Sequence, residues 1–378
     1  MSSDSVYMQR TFELAVQGRG WTNPNPMTGA VVVKDDQIIG EGFHPQAGQP
    51  HAENYALDVA KEGARGATLY LNLEPCAGRN NSCAGRIIEA GLSRVVIATR
   101  DPNPNTSGKG IRALQDAGIE VEVGVEASAA RKLNEIYFKY IVTKRPFVAI
   151  RTATSLDGKT RTTACDSQWI AGKESNEHHQ GLRASYDAVM VGINVIMRED
   201  PDIVCRLPRA HNPLRIVIDS FARTPINSKL FNKPGTGLLR PNTLIVTTKA
   251  APEDRIRGLQ SVGAEVLVCP ELDGGIDAHV DLARLMQILS KREITSILLE
   301  GGSSLNAAAL SHGIVDKIYQ YVAPKIIGGS DVPTMVGGMG VAFIEEALSL
   351  HHMTAHPLGN DILFEAYLRA EDREDRED

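Results

Sequence analysis

Within the 33 residues from His51 to Cys83, HAENYALDVAKEGARGATLYLNLEPCAGRNNSC, the chain gathers one histidine, one nearby acid and two cysteines around a helix–strand–helix pattern. Tyr55, Ala56, Val59 and Ala60 recur at helical spacing after His51. Ala67 to Leu73 is an apolar-rich run of strand length, and it delivers Glu74-Pro75-Cys76. Cys83 then stands just before a helix expected over Gly85 to Ala90. The unit is short enough to place all four side chains at one site.

Thiolates and an imidazole suit a tetrahedral zinc ion, and three protein ligands leave a fourth position for water. His51, Cys76 and Cys83 are the candidate ligands. Zinc held this way makes a water molecule ionisable near neutral pH. Glu53, two residues after a ligand, is placed to take that proton and pass it on. H-x-E followed by P-C-x-x-C is the signature of zinc nucleobase deaminases. The HAE half matches, whereas six residues separate Cys76 from Cys83 where that signature has two. Small buried hydrophobes, or a structural zinc pair, are the alternative readings of the two cysteines.

The chain has 378 residues, room for two domains of ordinary size. Its formal net charge is -6, and the tail EDREDRED, Glu371 to Asp378, supplies six acids against two arginines. The body is therefore near neutral, which argues against a basic nucleic-acid surface. The tail itself, 371–378, is expected to be solvated and disordered. Cys76, Cys83, Cys165, Cys205 and Cys269 are an odd, scattered set rather than a disulfide framework, which favours a reducing compartment. No run reaches the length of a bilayer span and no signal-peptide pattern opens the chain, so a cytoplasmic protein without a membrane partner is expected.

Taken in order, an amphipathic first helix is followed by Asn23-Pro24-Asn25-Pro26, which must run extended. Strands are expected over Gly29 to Lys34 and Gln37 to Gly42, then Arg94 to Thr99 and Ile119 to Val123. Helices are expected over Gly110 to Ala117 and Ala127 to Val142. The alternation predicts an α/β layered domain. Asn25, the Pro45 to Pro50 loop and the Asp101-Pro102-Asn103-Pro104 turn are candidate pocket walls. The boundary falls near Thr143 to Pro146, giving domains 1–145 and 146–370. The second half repeats the α/β alternation with seven expected strands. Its informative spot is the strand ending at Leu299, followed by Glu300, Gly301-Gly302-Ser303-Ser304 and a small-residue helix. Glycines there let a ligand approach the backbone, and the helix start attracts phosphate. The G-x-G-x-x-G dinucleotide fingerprint is absent.

The segments PNPMTGAVVV, HAE, LEPC, DPNP, SLDGKT, SQWI, LRASYDAVMVG, EDPDIVCR, VIDS, LLEGGSSL and APKIIGG, in this order, resemble the bifunctional deaminase/reductase family of riboflavin biosynthesis up to about residue 370. The resemblance implies a cytidine-deaminase-like three-layer domain followed by a dihydrofolate-reductase-like domain using NADPH. It implies Zn2+ on His51, Cys76 and Cys83, with Glu53 as the catalytic proton shuttle. It further implies substrate contacts from Ser167, Arg183, Ile203, Arg206 and Glu300. The NADPH contacts implied are Ala153, Trp169, Asp200, Ser220, Gly301 and Gly302. The implied substrate is a diaminopyrimidinone ribosylamino 5-phosphate, first deaminated and then reduced to a ribityl chain, by an enzyme expected to be a homo-oligomer. Asp200 and Lys159 are candidate proton donors, and Arg223 a candidate for a cofactor 2′-phosphate. PCAGRNNSC is two residues shorter than the family's PCSHHGRTPPC and lacks its histidines, with Arg79-Asn80 in place of Arg-Thr. A paralogue with reductase activity alone, one acting on a changed pyrimidine, and a first domain with structural zinc are the alternatives.

Overall fold

In the first half of the chain, three apolar strands send alternate side chains into two separate cores. The computed structural model describes residues 2–78, 82–164, 170–208, 210–231, 242–272 and 279–369. It divides into two compact units, Met1–Arg145 and Pro146–Asp378. Ser167, Trp169, the Arg79-Asn80 pair and the acidic tail lie outside the described residues.

In the first unit, β1 (Gly29–Lys34), β2 (Gln37–Phe43), β3 (Thr68–Leu71), β4 (Arg94–Ile97) and β5 (Glu120–Val123) form one sheet. Its order is β2-β1-β3-β4-β5; β1 runs antiparallel to β2 and β3, and β3, β4 and β5 are parallel. Ala30, Val32, Leu69, Leu71, Val95 and Ile97 pack against apolar side chains of α2 (Ala52–Ala60), α3 (Cys83–Glu89) and α4 (Lys109–Asp116). Val31, Val33, Tyr70 and Val96 pack on the other side against α1 (Ser3–Ala15) and α5 (Ala127–Leu133). Strand alternation thus builds a helix–sheet–helix sandwich. Helix α2 lies directly on β2: a Cβ at Gly42 would stand 2.4 Å from the Ala52 carbonyl oxygen. That close approach fixes the start of α2, where His51 and Glu53 sit.

The single helix expected over Ala127 to Val142 is broken. Asn134 adopts φ -107°, ψ 25°, separating α5 from α6 (Glu135–Thr143). Its side chain clasps Met27 instead, accepting from the Met27 amide at 2.8 Å and donating to the Met27 carbonyl at 2.9 Å. A short amide side chain that competes for backbone partners is a poor interior helix residue.

In the second unit, β6 (Phe147–Ser155), β7 (Ala188–Gly192), β8 (Leu214–Ile218), β9 (Thr243–Thr247), β10 (Glu265–Val268), β11 (Ser296–Leu299), β12 (Lys317–Ala323), β13 (His351–Leu358) and β14 (Asp361–Tyr367) make one sheet. The order is β10-β9-β8-β7-β11-β6-β12-β14-β13, parallel as far as β12 and antiparallel beyond it. Helices α7 (Lys173–Ser185), α8 (Ile193–Glu199), α9 (Glu253–Ser261), α10 (Leu282–Lys291) and α11 (Ser303–Ser311) complete the unit. The closing hairpin β13–β14 and the short α8 are additions to the expected pattern. β13 is exposed along most of its length, so it carries no buried alternation to read. Ala153, Gly192, Ser220 and Glu300 all lie at or just beyond carboxyl ends of parallel strands, the usual place for a ligand crevice.

Candidate active sites

His51 is the extended N-cap of α2 and its side chain makes no cap hydrogen bond, which leaves the imidazole available. Two residues on, Glu53 lies in the first helical turn and is 4% exposed. Cys76 follows β3 through Glu74-Pro75, and Cys83 is the first residue of α3, whose Ser82 N-cap accepts from the Gly85 amide at 3.2 Å. The Ala84 amide donates to the Cys76 carbonyl at 3.1 Å, tying the two cysteine segments together. His51 Nδ1 then stands 3.2 Å from Cys83 Sγ and 3.8 Å from Cys76 Sγ. The three candidate ligand atoms all lie within 4.8 Å of one another, the one such group of three among the described residues. A tetrahedral ion bound at about 2.3 Å to sulfur and about 2.0 Å to nitrogen spaces its ligands by roughly 3.5 Å, so the donor set fits zinc.

Burial pushes the Glu53 carboxyl up, with contacts to Cys83 and His51 opposing. His44, which the sequence reading missed, packs edge-on against His51 with ring centroids 5.1 Å apart. Its Nδ1 donates to the Pro50 carbonyl at 3.0 Å, so its Nε2 accepts from Asn25 Nδ2 at 3.3 Å. Asn25 and the Pro45 to Pro50 loop thus meet beside the donor set. On the other side, Glu74 accepts backbone N–H groups from Asp101, Gly108, Gly110 and Ile111. Asp101 accepts from the Asn103 amide and from the Thr106 and Tyr137 hydroxyls. These two acids shape the DPNP turn from within.

The second unit holds a cavity of about 750 Å³, within the range of small-molecule sites. Of the residues named from sequence, Ala153, Arg183, Ile203, Ser220, Arg223, Glu300, Gly301 and Gly302 line it. Gly301 and Gly302 have φ of 65° and 87°, and a Cβ on Gly301 would meet the Asn306 side chain at 2.9 Å. Gly302 caps α11 without a side-chain bond, so the first amides of that helix open onto the cavity beside Ser303 and Ser304. A bare glycine turn at a helix start suits a cofactor pyrophosphate. Arg183 donates through Nε and Nη2 to both oxygens of Glu300, and through Nη1 to the Val204 carbonyl at 3.1 Å. Ile203 sits at φ 47°, a left-handed conformation costing a β-branched residue about 1–3 kcal/mol. Arg183, and Arg215 donating to the Asp202 carbonyl at 3.2 Å, brace it there.

Two residues unnoticed in the sequence complete this wall, Arg151 and His179. The Arg151 guanidinium lies over the Tyr321 ring at 5.0 Å, and its Nε is buried without a hydrogen-bond partner among the described residues. The structure does not bring Asp200, Arg206 and Lys159 to the cavity wall. Asp200 accepts from the Ser228 hydroxyl at 2.6 Å and the Lys229 amide at 3.0 Å. Arg206 pairs with Asp202 and lines a separate recess of about 320 Å³. Lys159 donates to the Val332 carbonyl at 3.3 Å.

An imidazole–dithiolate cluster with a buried acid on an α/β/α sandwich, followed by a parallel-sheet unit with a phosphate-ready glycine turn, defines a two-domain enzyme that joins a zinc-type deaminase to a reductase. Residues 1–99 match the cytidine and deoxycytidylate deaminase zinc-binding region, and residues 146–364 match the RibD C-terminal domain. Riboflavin biosynthesis protein RibD of Actinobacillus pleuropneumoniae is 40% identical over 365 residues, covering 96% of this chain and 95% of the relative; its Escherichia coli K12 counterpart is 37% identical, covering 95% and 98%. Among solved structures, RibD of Acinetobacter baumannii superposes with TM-score 0.83 at 35% identity, covering 97% of this chain and 98% of that one. A diaminohydroxyphosphoribosylaminopyrimidine deaminase/5-amino-6-(5-phosphoribosylamino)uracil reductase of Thermotoga maritima superposes with TM-score 0.82 at 32% identity, with the same coverage. The chain belongs to the RibD family, bifunctional deaminase/reductases of riboflavin biosynthesis.

Proposed function

We propose that the first unit deaminates a diaminopyrimidinone ribosylamino 5-phosphate hydrolytically, and that the second reduces the ribosyl group of the product to a ribityl chain. The observation that carries the reading is the His51, Cys76 and Cys83 cluster with Glu53 buried two residues after His51, in the first turn of α2. His51, Cys76 and Cys83 would hold zinc, which when bound would supply an activated water. Glu53 accepts a proton from water and delivers it to the ring nitrogen; as the new C–O–H becomes C=O, Glu53 carries that second proton to the amine, which leaves as ammonia. Its burial excludes bulk water from that transfer.

In the second unit, Ala153, Ser220, Gly301 and Gly302 would position NADPH, which when bound would supply the hydride. Arg183, Ile203 and Glu300 orient the sugar chain, with Ser167 in the same proposed substrate set; Arg206, paired with Asp202 in the separate recess, stands outside it. Trp169 is a further proposed cofactor contact, whereas Asp200 holds the 228–229 turn instead of meeting the cofactor. The Arg151 guanidinium, whose Nε has no hydrogen-bond partner among the described residues, adds positive charge to the wall and favours phosphate-bearing ligands. The exposed apolar side chains of Met339, Phe343 and Ile344, together with the open edge of β13, support a homo-oligomer. Free Cys76, Cys83, Cys205 and Cys269 fit a reducing cytoplasm, and no helix among the described residues is long and apolar enough to cross a membrane.

Metal removal separates the two halves. Dialysis against a zinc chelator is expected to abolish ammonia release while the deaminated compound is still reduced by NADPH, and added zinc should restore deamination. Deamination that survives with no metal bound would refute the zinc assignment.

A further inference from the structure

His179 and Arg183 stand one turn apart on α7, and both reach Glu300, the residue that follows β11. His179 Nε2 lies 2.6 Å from Glu300 Oε1, while Arg183 engages both carboxylate oxygens. Burial alone would raise the Glu300 carboxyl, but Arg183 and His179 outweigh it and hold it well below the usual carboxylate range. Glu300 is therefore ionised and only accepts, so the hydrogen of the contact belongs to His179 Nε2. Burial, with Arg151 nearby, pushes the His179 imidazole down to about 4, so near pH 7 the ring carries one hydrogen. With that hydrogen on Nε2, Nδ1 is left as a lone-pair acceptor.

Among the described residues Nδ1 has no hydrogen-bond partner, and His179 lines the 750 Å³ cavity. The two guanidinium groups on the same wall, Arg151 and Arg183, only donate. Arg183 is already engaged by Glu300 and the Val204 carbonyl, so the wall offers positive charge at Arg151 and, at His179, a neutral acceptor for a group that carries a hydrogen. Phosphates do not supply one. The hydroxyls of an opened sugar chain do.

Resting on the assignment of this cavity as the reductase site, we propose that His179 is a further substrate-binding residue whose Nδ1 accepts a hydrogen bond from a hydroxyl of the substrate's sugar chain. Glu300 sets the tautomer that makes this possible. Nothing in the amino-acid pattern of α7 marks the residue, because a histidine on a buried helix face usually just fills the core.

Two variants separate this role from mere support of Glu300. In His179→Gln the amide nitrogen falls near the Nε2 position and keeps the bond to Glu300, but no acceptor remains where Nδ1 was. In His179→Asn the amide oxygen takes the Nδ1 position, and the contact with Glu300 is lost. Each is assayed for NADPH oxidation with the deaminated ribosylaminopyrimidine phosphate, after circular dichroism has established that it folds. The proposal expects the Gln variant to raise KM for the pyrimidine by about tenfold, the value of one substrate hydrogen bond, with KM for NADPH little altered. The Asn variant should recover to within about threefold of wild type. Wild-type KM in the Gln variant, an Asn variant impaired as severely as Gln, or an effect on KM for NADPH instead would each overturn the role assigned to Nδ1. A wild-type enzyme that does not oxidise NADPH with this pyrimidine would overturn the cavity assignment itself, and the inference with it.

Discussion

Glu53→Gln is expected to lower deaminase turnover by roughly a hundred- to ten-thousand-fold, the usual contribution of a positioned general acid–base, without loss of metal. The side chain is buried in the first turn of α2 and lies outside the three-atom donor cluster. Glutamine has the same shape and cannot carry the proton. Zinc content by elemental analysis should stay at wild-type stoichiometry, and reduction of the deaminated compound should remain within about twofold, since Glu53 belongs to the first unit. Full deaminase activity in this variant would refute Glu53 as the proton shuttle.

Arg183→Ala is expected to have the largest effect on stability, a loss of about 3–5 kcal/mol, because it strands a buried carboxylate. Arg183 and Glu300 have side chains only 9% and 8% exposed, and the arginine also supports the Val204 carbonyl behind the strained Ile203. Removing the fork leaves Glu300 with His179 alone. Arg183→Lys should recover only part, since an ammonium cannot reproduce a two-point contact. The linkage has a definite sign. The folded Glu300 carboxyl is depressed, so its contribution is present above the unfolded value of about 4.3 and fades as pH falls toward the folded one. Denaturant unfolding followed from neutral to acid pH should show the wild type losing stability below about 4.3 and the Ala variant lacking that component. A variant that unfolds at the wild-type midpoint near neutral pH would mean that the pair is not the brace described.

The first site was legible because its parts lie within one short stretch and because each is chemically specific. Few arrangements other than a metal site place His51, Glu53, Cys76 and Cys83 at the start of a helix, the end of a strand and the start of the next helix. The glycine turn after β11 was legible for a similar reason, since Gly301 and Gly302 take backbone conformations that side chains resist. Arg151, His179 and His44 were not. Their roles arise from tertiary neighbours: β6 lies beside β11, bringing Arg151 to the wall that carries Glu300, His179 of α7 reaches that same Glu300, and His44 packs on His51, none of which a local period encodes. Asn134 illustrates the opposite failure, a helical pattern overruled by two hydrogen bonds to Met27, more than a hundred residues away. The hairpin β13–β14 escaped because β13 buries almost none of its side chains.

The central claim is that one chain performs two reactions in a fixed order, and mass-spectrometric product analysis of the purified zinc-loaded protein tests it most directly. Given the diaminopyrimidinone ribosylamino 5-phosphate without NADPH, the enzyme should exchange one amino group for an oxo group and stop. With NADPH the product should gain two further hydrogens. Recovery of unchanged starting material, alongside reduction of the separately prepared deaminated compound, would contradict the account and leave the first unit without its reaction.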